Sequence, residues 1–225
     1  MTSNDDVSPA RIPRLLGHDH SELDELLGAF FAAVEKGDLD QSFDTLDVFW
    51  ARLAVHIRTE HLHLFPTLIA AVERSEQRKE NGSRPPSAQA ARDTIARLRE
   101  DHDFFMQELA AAITQLRQER GRTGQSRSAV LSDVKEKALA VSRRLQTHNA
   151  LEESEVYRWA EGLLEDAKCI DLKTRMNKEL ANVPKRLFQV STPTARLPMD
   201  ATSSPSRRAM FIRGTTINYA APVLE

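Results

Sequence analysis

Cysteine is nearly absent from this chain: of 225 residues only Cys169 carries a thiol. One thiol excludes an intramolecular disulfide framework, an all-cysteine zinc site and a protein-held iron–sulfur cluster. Glycine is scarce too, eight residues, too few for a glycine-rich all-β protein or a multi-loop nucleotide binder. No apolar run approaches the roughly 18–20 residues that span a bilayer, and the polar, acidic start MTSNDDVSPAR is not a secretory signal. Neither sign of charge dominates: Lys+Arg 31 against Asp+Glu 33 gives a net charge of −2. That balance points neither to nucleic acid nor to an anionic membrane. What is present, 40% hydrophobic and 28% charged residues, is ordinary globular composition, and the expectation is a mostly helical cytoplasmic protein.

Four stretches carry helical periodicity, separated by turn chemistry. The first is predicted from about Ile12 to Lys36, stopping at Gly37-Asp38, and the second from about Asp40 to Gln77, stopping in Asn81-Gly82-Ser83-Arg84-Pro85-Pro86. Ser87 is placed as N-cap of the third, which reaches about Arg120; Ser126 or Ser128 caps the fourth, which reaches about Lys168. Pro66 lies inside the second stretch and should kink that helix or open a local irregularity. Four long helices with short connections predict an all-α protein: a leader over 1–11, then an antiparallel up-down-up-down four-helix bundle over 12–168. The region 169–225 holds five of the ten prolines, many Ser and Thr and no clear period. From Ile170 it carries 9 Lys/Arg against 4 Asp/Glu, and this basic tail is expected to be disordered.

Each helix has an apolar stripe interrupted by polar groups. The stripes run Leu16, His20, Leu23, Leu27 on the first helix and Leu53, His56, Glu60, His63 on the second. They continue as Leu98, His102, Phe105, Leu109 on the third and Leu145, His148, Glu152, then Val156 or Trp159, on the fourth. A carboxylate in a bundle core costs several kcal/mol unless paired or bound to a metal. His56-x-x-x-Glu60 and His148-x-x-x-Glu152 put imidazole and carboxylate on one helix face. Chance would give about one of the seven histidines an acid at +4; four have one. Height matters more. Antiparallel helices bring together residues equidistant from their turn. The midpoint of His20 and His56 is position 38, in the first turn; that of His102 and His148 is 125, in the last connection; that of Glu60 and His102 is 81, in the middle one. Four histidines and two glutamates thus meet in one layer, a metal site most naturally dinuclear and bridged by the carboxylates. The halves also echo each other: DHSELDELL with DHDFFMQEL, and HIRTEHLHLFP with HNALEESEVYR.

With its DH-x-x-L-x-x-L opening, HIRTEHLHLFP, lone His102 and second HxxxE, the segment of about 12–165 resembles the hemerythrin-like (HHE cation-binding) family. The resemblance implies a carboxylate-bridged non-haem centre of two iron ions between four helices, with His20, His56, Glu60, His102, His148 and Glu152 as ligands. Nitrogen and oxygen donors without thiolate suit iron, with zinc or manganese as other occupants. The sequence departs from oxygen carriers at Met106, which stands where those proteins place a second histidine. One metal is therefore under-ligated. His63 and Glu155 are read either as a further ligand or proton relay, or as polar residues towards the bundle's end. His18 is assigned to the surface or to a place behind the ligands, His61 to solvent or to such a place, Asp24 to solvent with an extra ligand or an acceptor orienting an imidazole as its other reading, and Trp50, Trp159, Tyr157 and the Phe pairs to the core.

The functional expectation is a di-iron protein that binds or reacts with O2, NO or peroxide in sensing, detoxification or iron handling; whether it turns over is left open. The absence of cysteine before Cys169 argues against the iron–sulfur repair role of similar proteins with a cysteine-bearing N-terminal domain. The alternative is a metal-stabilised interaction or scaffold module, its basic tail engaging an acidic protein partner.

Overall fold

The computed structural model describes residues 12–78, 86–120 and 127–183. Its elements are α1 (Ile12–Glu35), α2 (Leu39–Thr59), a π-helical turn π1 (Glu60–Leu64), α3 (Phe65–Arg78), α4 (Ala88–Arg120), α5 (Arg127–Leu151), a second π-helical turn π2 (Glu152–Val156), α6 (Tyr157–Leu163) and α7 (Asp166–Leu180). The described residues contain no strand, and none of their helices is long and apolar enough to cross a membrane.

The chain reverses after α1 because Gly37 supplies φ 69°, a left-handed conformation that glycine adopts without a Cβ penalty. Asp38 then caps α2, accepting a 2.9 Å hydrogen bond from the Gln41 N–H. At the head of α4 the Ser87 hydroxyl accepts from the Ala90 N–H at 3.1 Å, the cap expected there. Ser126 lies outside the described residues.

Packing joins α1 to α2, α2 to α4, α4 to α5 and α5 to α1. Of the three buried apolar clusters among the described residues, two flank the polar residues. One contains Leu23, Leu53, Phe105 and Leu145. The other contains Leu16, Leu64, Leu98 and Val156, with Phe65 and Tyr157. Along every rod the polar residues fall between members of the two clusters: His20 between Leu16 and Leu23, His56 and Glu60 between Leu53 and Leu64, His102 between Leu98 and Phe105, His148 and Glu152 between Leu145 and Val156. The candidate site is therefore a polar layer sealed above and below by hydrocarbon.

Two expectations require correction. The fourth helix ends at Leu163, not near Lys168, where Leu164 takes extended backbone (φ −103°, ψ 132°). And the chain from 169 is not aperiodic throughout, since α7 runs to Leu180. Its Leu172, Met176 and Leu180 are buried against α2, π1 and α1, and an Arg58–Glu179 ion pair ties it to α2. An apolar stripe at four-residue steps was present, but the charged composition around it concealed it. Residues 184–225 lie outside the described residues.

Candidate metal centre

The two π turns set the positions of the glutamates. In π1 the Phe65 N–H bonds to the Glu60 carbonyl, and in π2 the Tyr157 N–H bonds to the Glu152 carbonyl, each five residues back. Each turn holds one residue more than an α-turn, the local widening that recurs at functional sites. Pro66, which lacks an N–H, follows π1, as its missing donor foretold; π2 forms without a proline. The extra residue also rotates the next turn. Leu64 takes the inward place that the stripe gave to His63, and Val156, one of the two inward residues expected on the fourth helix, is likewise at 0% exposure. His63 is half-buried and Glu155 exposed, and neither belongs to a metal-capable group among the described residues.

The six ligands expected from the sequence do converge. They form two groups of potential donors, Glu60, His102, His148 and Glu152 in one and His20, His56 and Glu152 in the other. None is more than 4% exposed. The imidazoles pair across the helices, His20 Nε2 standing 3.2 Å from His56 Nε2 and His102 Nε2 standing 3.0 Å from His148 Nε2. Each carboxylate reaches both pairs. Glu60 puts Oε1 3.6 Å from His56 Nε2 and Oε2 3.4 Å from His102 Nε2. Glu152 puts Oε2 3.4 Å from His20 Nε2 and Oε1 3.2 Å from His148 Nε2.

Residues behind the imidazoles orient them. The His56 Nδ1–H donates to Asp19 Oδ2 at 2.7 Å, and Arg52 Nη2 donates to Asp19 Oδ1 at 2.6 Å. The same trio recurs in the second half: His148 Nδ1–H on Asp101 Oδ2 at 3.2 Å, and Arg144 Nε on Asp101 Oδ1 at 2.5 Å. His20 Nδ1–H donates to Glu153 Oε1 at 2.8 Å. With Nδ1 as the donor to a carboxylate, each of these rings directs its Nε2 inward. His102 differs, its Nδ1 facing His61 Nε2 at 2.9 Å. His61 therefore stands behind His102, one of the two places allotted to it. His18 is at the surface, with 73% of its side chain exposed; Asp24 is exposed and Met106 half-buried.

Sequence reasoning passed over Asp19, Asp101, Arg52 and Arg144. Their signal was there, since both acids immediately precede the lone histidines and both arginines lie four residues before the HxxxE histidines. It also placed Tyr157 in the core for its bulk alone. Tyr157 is indeed fully buried, but its hydroxyl lies in the polar layer, 3.0 Å from Glu60 Oε1, 2.9 Å from Glu152 Oε2 and 3.2 Å from His20 Nε2.

The donor set suits a cation and is poorly satisfied by protein groups alone. Two pairs of imidazole Nε2 atoms face each other at 3.0–3.2 Å, and Glu60 Oε2 and Glu152 Oε1 are buried without a hydrogen-bond partner. Their 3.2–3.4 Å approaches to imidazole nitrogen therefore count as proximity, not as hydrogen bonds. The electrostatics carry the same tension. Burial, and then the charge of Glu152, push the Glu60 carboxyl well above its ordinary range. Burial would push Glu152 up as well, but the nearby imidazoles of His148 and His20 hold it well below. Two carboxylates in one dry pocket cannot both ionise easily without positive charge between them. Burial, and then the charge of His148, drive His102 down to about 2, leaving its ring neutral. Burial also lowers His20 and His148, but Glu152 outweighs it and raises both. Buried His/Glu groups that could hold a metal ion are thus a property of this fold.

No family model, curated protein or solved structure matches the chain.

Asp19→Asn tests the orientation of the imidazoles. Burial by itself would raise Asp19, but the hydrogen bond and charge of His56, followed by Arg52, hold it below the ordinary carboxylate range. An amide there removes that charge at nearly constant volume. Metal affinity of the His20/His56 group is expected to fall about 10–100-fold with the helical content unchanged. Zn2+ titration of metal-free protein with circular dichroism checks it; unaltered affinity would refute the role given to Asp19.

Proposed function

We propose that residues 12–168 form a hemerythrin-like, antiparallel up-down-up-down four-helix bundle holding two carboxylate-bridged iron ions. The centre binds or reacts with a small ligand, O2, NO or peroxide, in sensing, detoxification or iron handling. One observation carries the reading: each of two buried glutamates offers one oxygen to each of two imidazole pairs. A single cation would not need that duplication. The repetition of the Arg–Asp–His trio in both halves supports two metal positions.

His20 and His56 would hold one ion and His102 and His148 the other, with Glu60 and Glu152 shared between them. Iron bound there would supply Lewis acidity and a one-electron redox couple. The protein contributes orientation and dryness. Asp19, Asp101 and Glu153 fix ring tautomers, while Leu64, Phe65, Phe105 and Val156 exclude water from the layer. His61, half-buried and bonded to His102, gives a polar contact between the layer and its exterior. Nitrogen and carboxylate donors also accept zinc or manganese.

Metal content and visible absorption of the full-length protein, purified under controlled oxygen, test the proposal. About two irons per chain, with charge-transfer absorption that changes on adding NO or peroxide, is the expected result. Colourless, zinc-loaded protein from iron-replete cells would overturn it. That outcome would favour the second reading, a metal-stabilised scaffold, whose support is the way the polar layer joins all four rods between two separate apolar clusters. In either case a cytoplasmic location is proposed, and the basic segment beyond residue 183 is offered to an acidic protein partner.

A further inference from the structure

The two halves of the layer repeat each other closely, but not at every position. Phe65 and Tyr157 each follow a π turn and each donate their N–H to the carbonyl of a layer glutamate. Phe65 lays its ring against His102, with centroids 6.1 Å apart and planes 11° from parallel, and brings no donor atom. Tyr157 brings a hydroxyl. Its oxygen stands within 3.2 Å of three acceptor-capable atoms, Glu60 Oε1, Glu152 Oε2 and His20 Nε2. A phenol has one proton to donate, and the His20 Nδ1–H is already committed to Glu153. Three acceptors around one donor is an arrangement that a cation resolves. The acceptors are also unevenly spread: Glu60 Oε1 and Glu152 Oε2 are the two carboxylate oxygens turned to the His20/His56 pair.

We propose that the Tyr157 oxygen is a fifth protein donor to the cation held by His20, His56, Glu60 and Glu152, binding as a phenolate. The inference rests on the metal-centre reading given above. On coordination the O–H bond breaks heterolytically, the proton leaves to solvent buffer, and the oxygen's electron pair forms the bond to the metal; nothing is oxidised or reduced. The His102/His148 half has no equivalent donor, since Phe65 occupies that place. The two metal positions are therefore inequivalent in a way the paired HxxxE motifs do not disclose. A hard anionic oxygen favours a hard cation such as ferric iron.

The experiment loads the metal-free, full-length protein with ferric iron and compares it with Tyr157→Phe. Wild type should show phenolate-to-ferric charge-transfer absorption in the visible, with phenolate ring modes enhanced in resonance Raman spectra. Tyr157→Phe should lose both and bind one of its two iron equivalents at least about tenfold more weakly, the least that even an indirect loss at a metal site costs. Wild type that takes up two irons without phenolate modes overturns the assignment and leaves the metal centre standing, whether or not the variant folds. Wild type that takes up no metal overturns the centre and the assignment together.

Discussion

Removing metal from the loaded protein is expected to lower its melting temperature by about 8–16 °C. A ligand that binds only the native state stabilises it by about 4 kcal/mol when free at a thousandfold its dissociation constant. For a chain of this size each kcal/mol shifts Tm by about 2–4 °C. The effect should be large here because the layer joins α1, α2, α4 and α5 (through π1 and π2) where hydrocarbon contact is interrupted. The unfolded chain cannot assemble donors that lie as far apart in sequence as His20 and Glu152, so binding energy becomes folding energy. Thermal melts with and without a chelator, followed by re-addition of metal, measure it. Identical melts would mean that the layer binds nothing of structural weight.

Glu60→Gln should change stability in opposite directions depending on metal. In the proposed two-ion form the amide would replace a carboxylate shared by both ions, so metal content should fall below two ions per chain and most of the stabilisation above should be lost. In the metal-free protein the same change should leave Tm unaltered or raise it. Glu60 is fully buried, and burial with the neighbouring Glu152 charge lifts its carboxyl well above the ordinary value. A carboxyl whose pKa is higher folded than unfolded binds more protons in the native state, so it costs stability as pH rises above the unfolded value of about 4.3. At neutral pH the wild type bears that cost and the amide does not. The advantage of Glu60→Gln over metal-free wild type should therefore shrink as pH falls towards about 4.3. Denaturant titrations at several pH values give the comparison; a metal-free variant less stable than wild type at every pH would contradict this account of Glu60. Glu152→Gln is not equivalent, because the nearby imidazoles of His148 and His20 hold that carboxyl low.

Much of the polar layer was legible in the sequence. His20, His56, Glu60, His102, His148 and Glu152 could be named because helical periodicity fixes which residues share a face, and turns fix which residues share a height. Both are local properties. Of the two readings left open for His63 and Glu155, that of polar residues outside the layer is the one that holds, because a π turn changes that period, and its energetic origin is not local. Beside Pro66 the missing N–H gives a reason in the sequence; at Glu152 no proline announces the second turn. The end of the fourth helix and the existence of α7 were missed for a related reason, since a short amphipathic helix among many charges acquires stability only from the surface it covers.

By itself, then, the sequence determined the helical class, the apolar stripes and the six residues of the polar layer, because all of these follow from spacing along the chain. Tertiary structure alone decided that each glutamate faces both histidine pairs, that Asp19 and Asp101 stand behind His56 and His148, and that one half receives the Tyr157 hydroxyl while the other receives the Phe65 ring. These features depend on how side chains from different rods meet, and on two turns that each take up one extra residue. Distances across a core are set by packing, which no periodicity within a single helix encodes.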